Sequence, residues 1–158
     1  MPKRGSKPVF VGKKKFYSLR DIWVNQVDST DTNRNVKARG RLKAWRRDIG
    51  IIARQAMTGE PWTGAVEISL RFIHLRPKSH FGTGRNADLM KSSAPVFKIS
   101  KPDGVKMQRA VEDALTGIVY KDDSQIIDWR GGKRYGREEG VLIRARQIQE
   151  DTSQDELF

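Results

Sequence analysis

Five aspartates, Asp103, Asp113, Asp122, Asp123 and Asp128, fall within 26 consecutive positions of this 158-residue chain. Clustered carboxylates bind hard divalent cations through oxygen. Lysines and arginines bind polyanions, and the chain has 31 of them against 19 acids. The two together make the composition of a metal-dependent phosphodiesterase. What is missing narrows the chemistry further. There is no cysteine, which removes disulfides, thiolate-bound zinc and thiol nucleophiles. The two histidines, His74 and His80, are too few for a histidine-rich metal site. Any metal is therefore held mainly by oxygen, which favours Mg²⁺, Mn²⁺ or Ca²⁺.

The formal charge of +12 is unevenly spread. Residues 1–50 carry 14 basic and 4 acidic side chains, residues 51–100 carry 7 and 3, and residues 101–158 carry 10 and 12. A basic first half points to an anionic partner, most often nucleic acid, over a merely charged soluble surface. No run of about 18 apolar residues occurs, so no membrane-spanning helix is expected. The basic N-terminus lacks the apolar stretch of a secretory signal, and a cytoplasmic location is expected.

Elements must bring these groups together. Residues 7–12 read as a short strand, and most of 13–37 as a polar loop. From Ala38 to Met57, Leu42, Trp45, Ile49, Ile52, Ala53 and Ala56 recur at helical spacing. Lys43, Arg46, Arg47 and Arg54 interleave with them, so Arg46 and Arg47 are candidate DNA contacts. Residues 65–75 alternate, with Val66, Ile68, Leu70 and Phe72 on one face. His74 shares that apolar parity and reads as a buried histidine rather than a metal ligand. Residues 76–95 form a basic loop in which Arg76, Lys78 and Arg85 surround Gly82-Thr83-Gly84, a candidate phosphate cradle. Residues 96–100 read as a strand, and Met107, Ala110, Val111, Ala114 and Leu115 as the apolar stripe of a helix over 106–115. A strand from Gln125 to Arg130, a hairpin turn at Gly131-Gly132 and a return strand over 140–148 complete the pattern. The fold class is α+β: one small domain with a mixed β-sheet and two main helices. It is expected to span residues 1–148, with 1–6 disordered and an acidic flexible tail over 149–158.

Taken singly, Asp103 is a helix N-cap and Asp122-Asp123 an ordinary turn. Together they place acids at both ends of one helix, about 15 Å long at the usual rise per residue. A short connection after the helix would return the chain toward its start, so that both ends share one cation.

The run Lys101–Ile126, KPDGVKMQRAVEDALTGIVYKDDSQI, resembles the signature of the RusA-type crossover junction endodeoxyribonucleases. The matching elements are Lys101-Pro102-Asp103, Arg109, Asp113-Ala114-Leu115, Gly117-Ile118-Val119-Tyr120 and Asp122-Asp123-Ser124-Gln125-Ile126. The loop around Arg76–His80 and Gly82–Ala87 resembles that of phage and actinobacterial members. The resemblance covers about residues 60–148. It implies a homodimer that resolves four-way (Holliday) DNA junctions by Mg²⁺-dependent paired nicks, with Mn²⁺ as a substitute, in DNA recombination and repair. Asp103 and Asp123 become metal ligands and catalytic residues, and Asp122 supports them or shares the metal. Arg109 becomes the cation beside the scissile phosphate. Arg76, Lys78, Arg85, Lys101 and Lys106, with Arg46 and Arg47, become DNA contacts.

One position departs from the family pattern, which has a second acid two residues after the first. Here that position is Val105, which offers no oxygen. Asp122 or Asp128 could substitute, metal binding and cutting could be weak, or the protein could bind junctions without cutting them. A generic basic nucleic-acid-binding regulator is the remaining alternative, and it leaves the acidic signature unexplained. The chain ends in Gln154-Asp155-Glu156-Leu157-Phe158. Gln154, Leu157 and Phe158 resemble the peptide by which bacterial replication proteins dock into the sliding clamp, which makes that clamp an expected partner.

Overall fold

The alternation of residues 65–75 becomes the central strand of the protein. The computed structural model describes residues 9–11, 14–16, 18–25 and 36–149. Its elements are β1 (Val9–Val11), β2 (Lys14–Phe16), β3 (Ser18–Asn25), α1 (Val36–Ala56), β4 (Val66–Leu75), α2 (Gly104–Leu115), β5 (Ile126–Gly136) and β6 (Gly140–Gln147). β1 and β2 form a small antiparallel pair. The other four strands make one mixed sheet in the order β3-β6-β4-β5. β4 is parallel to β5 and antiparallel to β6, and β3 is antiparallel to β6.

Both helices pack on one face of the sheet. Val66, Ile68, Leu70 and Phe72 of β4 and Val141, Ile143 and Ala145 of β6 are buried there. They meet Trp45, Ile49 and Ala53 of α1 and Met107, Ala110, Val111 and Leu115 of α2. The helical stripes of the sequence are therefore the core-facing stripes of the fold, except at Leu42, which the α1 stripe included and which is 43% exposed. The alternate residues of the strands form the other face. Arg71, Arg130, Arg134, Arg144 and Arg146 stand on it, with Glu67 paired to Arg146 and Asp128 3.6 Å from Arg130.

Four sequence expectations are corrected. Residues 13–37 are not mostly loop, because β2 and β3 form within them. Ser18–Asn25 pairs with β6, and that long-range ladder outweighs its polar composition. Residues 96–100 do not form a strand; arginine and lysine side chains hold their carbonyls in place of a ladder. Gly131-Gly132 is not a hairpin turn. Both glycines lie inside β5 beside Leu70 and Arg71, and the hydrogen bonds to β4 outweigh their turn preference. β5 and β6 are not paired with each other either, because β4 lies between them.

Residues 137–139 therefore carry the chain over the end of β4. The approach is tight: a Cβ on Gly136 would fall 2.4 Å from Ile73 Cγ2. Gly136→Ala is expected to destabilise the protein by about 1–3 kcal/mol through this overlap. Thermal unfolding of the two proteins checks it; an unchanged midpoint would contradict the crossing geometry.

Candidate functional site

The acids gather at two poles. At the first, Asp103 is the N-cap of α2, and its Oδ1 accepts from the backbone N–H of Val105 at 3.2 Å. The chain leading into it is irregular, and lysines hold it in place. Lys133 Nζ, from β5, donates to the carbonyls of Ser100 and Pro102, both at 2.9 Å. Lys98 Nζ donates to Ser100 O at 3.1 Å, to Ser100 Oγ at 2.6 Å and to Lys101 O. Two ammonium groups thus converge on one carbonyl immediately before the candidate ligand. Partial burial and the Lys133 cation lower the Lys98 pKa, against the pull of Glu139.

His74, at the end of β4, lies beside this cluster. Its Nδ1 is 3.4 Å from Glu139 Oε1, and its Nε2 is buried without a partner among the described residues. Burial lowers its pKa first, Lys98 and Lys133 lower it further, and Glu139 opposes them. His74 is a buried core histidine, as its parity suggested.

At the second pole, Asp122 caps a short 3-10 turn, Asp123–Gln125. Its carboxylate accepts from Ser124 N at 2.9 Å, and hydrogen bonding from the Ser124 side chain, then from that N–H, lowers its pKa. Gln125 ties the turn down. Its Oε1 accepts from Asp122 N at 2.8 Å, while its Nε2 donates to Trp62 O and Gly64 O at 2.9 and 2.8 Å. Tyr120 anchors the preceding residues at the C-terminal end of α2, its hydroxyl donating to Glu112 O at 3.0 Å. Burial, then the carboxylates of Glu112, Asp123 and Asp113, push the Tyr120 pKa well up.

The poles are far apart. Twelve residues of α2 separate them, about 18 Å of helix. The connection after α2 does not return the chain to Asp103. Thr116 to Tyr120 fold back on the last helical turn instead, with Ile118 N and Val119 N both donating to Leu115 O. Among the described residues, no group of three or more histidine, aspartate or glutamate side chains is placed to hold a metal ion. The acids of one chain therefore do not fit a shared cation. Val105 is 69% exposed on the first turn of α2. Asp113 is committed elsewhere, paired with Arg46 of α1.

The basic candidates are dispersed. Arg109 and Lys106 are exposed on α2, and Lys101 is exposed beside Asp103. Lys78 and Arg85 lie on short 3-10 turns of the 76–95 loop. Arg76 lies 4.4 Å over the Tyr135 ring and bonds to Pro95 O. Arg46 is in the helix–helix ion pair, and Arg47 is 3.6 Å from Asp48. The tail residues Gln154, Leu157 and Phe158, like residues 1–6, lie outside the described residues. Sequence reasoning passed over Lys98 and Lys133, and only their folded neighbours reveal their role. It also passed over the strand arginines, which the alternation of β5 and β6 could have revealed.

The fold is a basic α+β scaffold with exposed acids at the two ends of one helix. The family model for endodeoxyribonuclease RusA matches residues 20–146. The chain belongs to that family, whose members are endodeoxyribonucleases that generally depend on a divalent metal. It is also similar to uncharacterized protein YqaN of Bacillus subtilis (strain 168), at 26% identity over 108 residues, 68% of this chain and 75% of the relative. No helix among the described residues is long and apolar enough to cross a membrane.

Two expectations follow. Val105→Asp adds an oxygen ligand two positions from Asp103, at an exposed helix N-terminus that tolerates negative charge. Mn²⁺ affinity, measured by calorimetry, is expected to rise about tenfold or more; unchanged affinity would contradict this placement of the pole. His74, with its folded pKa below its unfolded value of about 6.5, is neutral in the fold. Its contribution to stability is present above that value and is lost as pH falls below it. Denaturant midpoints should drop between pH 7 and pH 5, and His74→Gln should flatten the drop.

Proposed function

We propose that the protein is a divalent-metal-dependent endodeoxyribonuclease that acts on four-way DNA junctions as a homodimer. Mg²⁺, with Mn²⁺ as a substitute, is the cation this reading requires. Membership of the RusA family supports the substrate class. The observation that carries the reading is the placement of the signature acids, exposed at opposite ends of α2 on a basic scaffold. A two-fold axis that sets α2 antiparallel to its mate would bring Asp103 of one protomer toward Asp122 and Asp123 of the other. Two equivalent sites result, as paired nicks on a two-fold branched substrate demand.

The surface beside α2 suits such pairing. β5 is an edge strand, and its Ile127 and Trp129 are exposed. They share strand parity with Gly131, whose missing side chain would meet Gln108 of α2 at 3.7 Å. Val105 adds a third exposed apolar side chain on the helix. Arg109 lies on the same outward stripe of α2 as Val105, one turn along, and would hold the phosphate under attack.

Val105 also favours a second reading, junction binding without cleavage, since it removes an oxygen from the first pole. Incubation with a mobile four-way junction and Mg²⁺, Mn²⁺ or EDTA separates the two. Metal-dependent nicks support the nuclease, and structure-selective binding without nicks supports the second reading.

Complementation tests the shared site. Asp103→Ala and Asp123→Ala should each abolish nicking. Mixed and refolded together, they should regain unpaired nicks at up to about a quarter of the parent's sites, because half of the dimers would carry one intact site. No recovery in the mixture would show that the acids act within one chain.

A further inference from the structure

Between Pro95 and Pro102 the chain has no regular secondary structure, yet its backbone is tied at both ends. Arg76 Nη1 donates to Pro95 O at 2.8 Å, and its Nη2 reaches Val96 O at 3.5 Å. Ile99 N donates to Phe97 O at 3.1 Å, a tight turn centred on Lys98. Lys98 and Lys133 then hold Ser100, Lys101 and Pro102 by their carbonyls. Arg76 is itself set against Tyr135, whose ring meets His80 edge-on at 5.4 Å.

The side chains of this strap point the opposite way from what their chemistry prefers. Val96, Phe97 and Ile99 are 71%, 75% and 85% exposed. A pinned backbone holds three large apolar groups in solvent, immediately before the Asp103 pole. Clustered exposed apolar side chains mark a surface that something else covers. The surroundings select the occupant. Arg76, Lys98, Lys101 and Lys133 bracket the strap, so a polyanion is attracted to it. Within a continuous duplex the base faces are already stacked. Where strands branch, stacking is interrupted and base faces are open to an aromatic or aliphatic side chain.

We propose that Phe97, flanked by Val96 and Ile99, stacks on an open base face at the point where DNA strands branch, and that this contact discriminates branched from continuous DNA. The flanking cations hold phosphates on either side and add affinity without preference for structure. This rests on the branched-DNA reading above and assigns its selectivity to one segment.

The test uses the full chain without metal, so that binding is read apart from cleavage. Its ligands are a four-way junction carrying 2-aminopurine at the branch and a linear duplex of equal length. The parent should bind the junction more tightly than the duplex and change the 2-aminopurine fluorescence. Phe97→Ala should weaken junction binding about tenfold, remove the fluorescence change and leave duplex affinity within about twofold. Phe97→Trp should retain both junction signals. Unchanged junction binding by Phe97→Ala, or an equal loss on both ligands, overturns the proposal. So does a change in sedimentation of the DNA-free protein, which would make a second copy the occupant of the strap. A parent with no preference for the junction defeats the branched-DNA reading itself, and the inference with it. That failure is already visible before any variant is made.

Discussion

The length of α2 is the constraint on which the rest of the site depends. A helix is a rigid spacer, and twelve residues hold its two ends about 18 Å apart. Asp103 caps one end, and Asp122 and Asp123 lie just past the other. The helix cannot shorten, because Met107, Ala110, Val111 and Leu115 are buried against the sheet along its length. Nor does the chain beyond it double back, because Tyr120 is locked onto the last turn. The acids at the two ends of α2 are thus remote from each other in the single chain.

Each pole is held by side chains bonded to backbone rather than by a strand ladder. At the second pole one neutral amide, Gln125, satisfies three backbone groups. At the first pole the ties are charged, with Lys98 and Lys133 converging on the Ser100 carbonyl. Two ammonium groups so close repel, and the carbonyls of Ser100, Lys101 and Pro102, with Glu139 nearby, offset that repulsion. The arrangement keeps positive charge beside Asp103 and fixes the direction from which the chain enters α2. A charge-dense segment of this kind attracts anions.

Much of the fold was legible along the chain. The apolar stripes of α1 and α2 and the alternation of β4 appear where periodicity places them, because those residues build the core. The misses share one cause. Ser18–Asn25 is a strand only because β6 is beside it, and Gly131-Gly132 is extended only because β4 is beside it. Val96–Ser100 looks like a strand in composition but pairs with no strand among the described residues. Local propensity is weaker than a ladder of backbone hydrogen bonds with a distant segment.

The chemistry of the site divides in the same way. Residue types by themselves determined the clustered acids, the exclusion of thiol and histidine-rich metal chemistry and the basic excess, and resemblance to the family pattern marked Val105 as a departure, because each depends only on which side chain stands at which position. Only the tertiary structure decided that the chain beyond α2 does not bring its acids back together, that Arg46 pairs with Asp113, and that Phe97 is held out in solvent on a strap tied by Arg76, Lys98 and Lys133. Those are relations between residues far apart in the chain, and packing against a common sheet sets them.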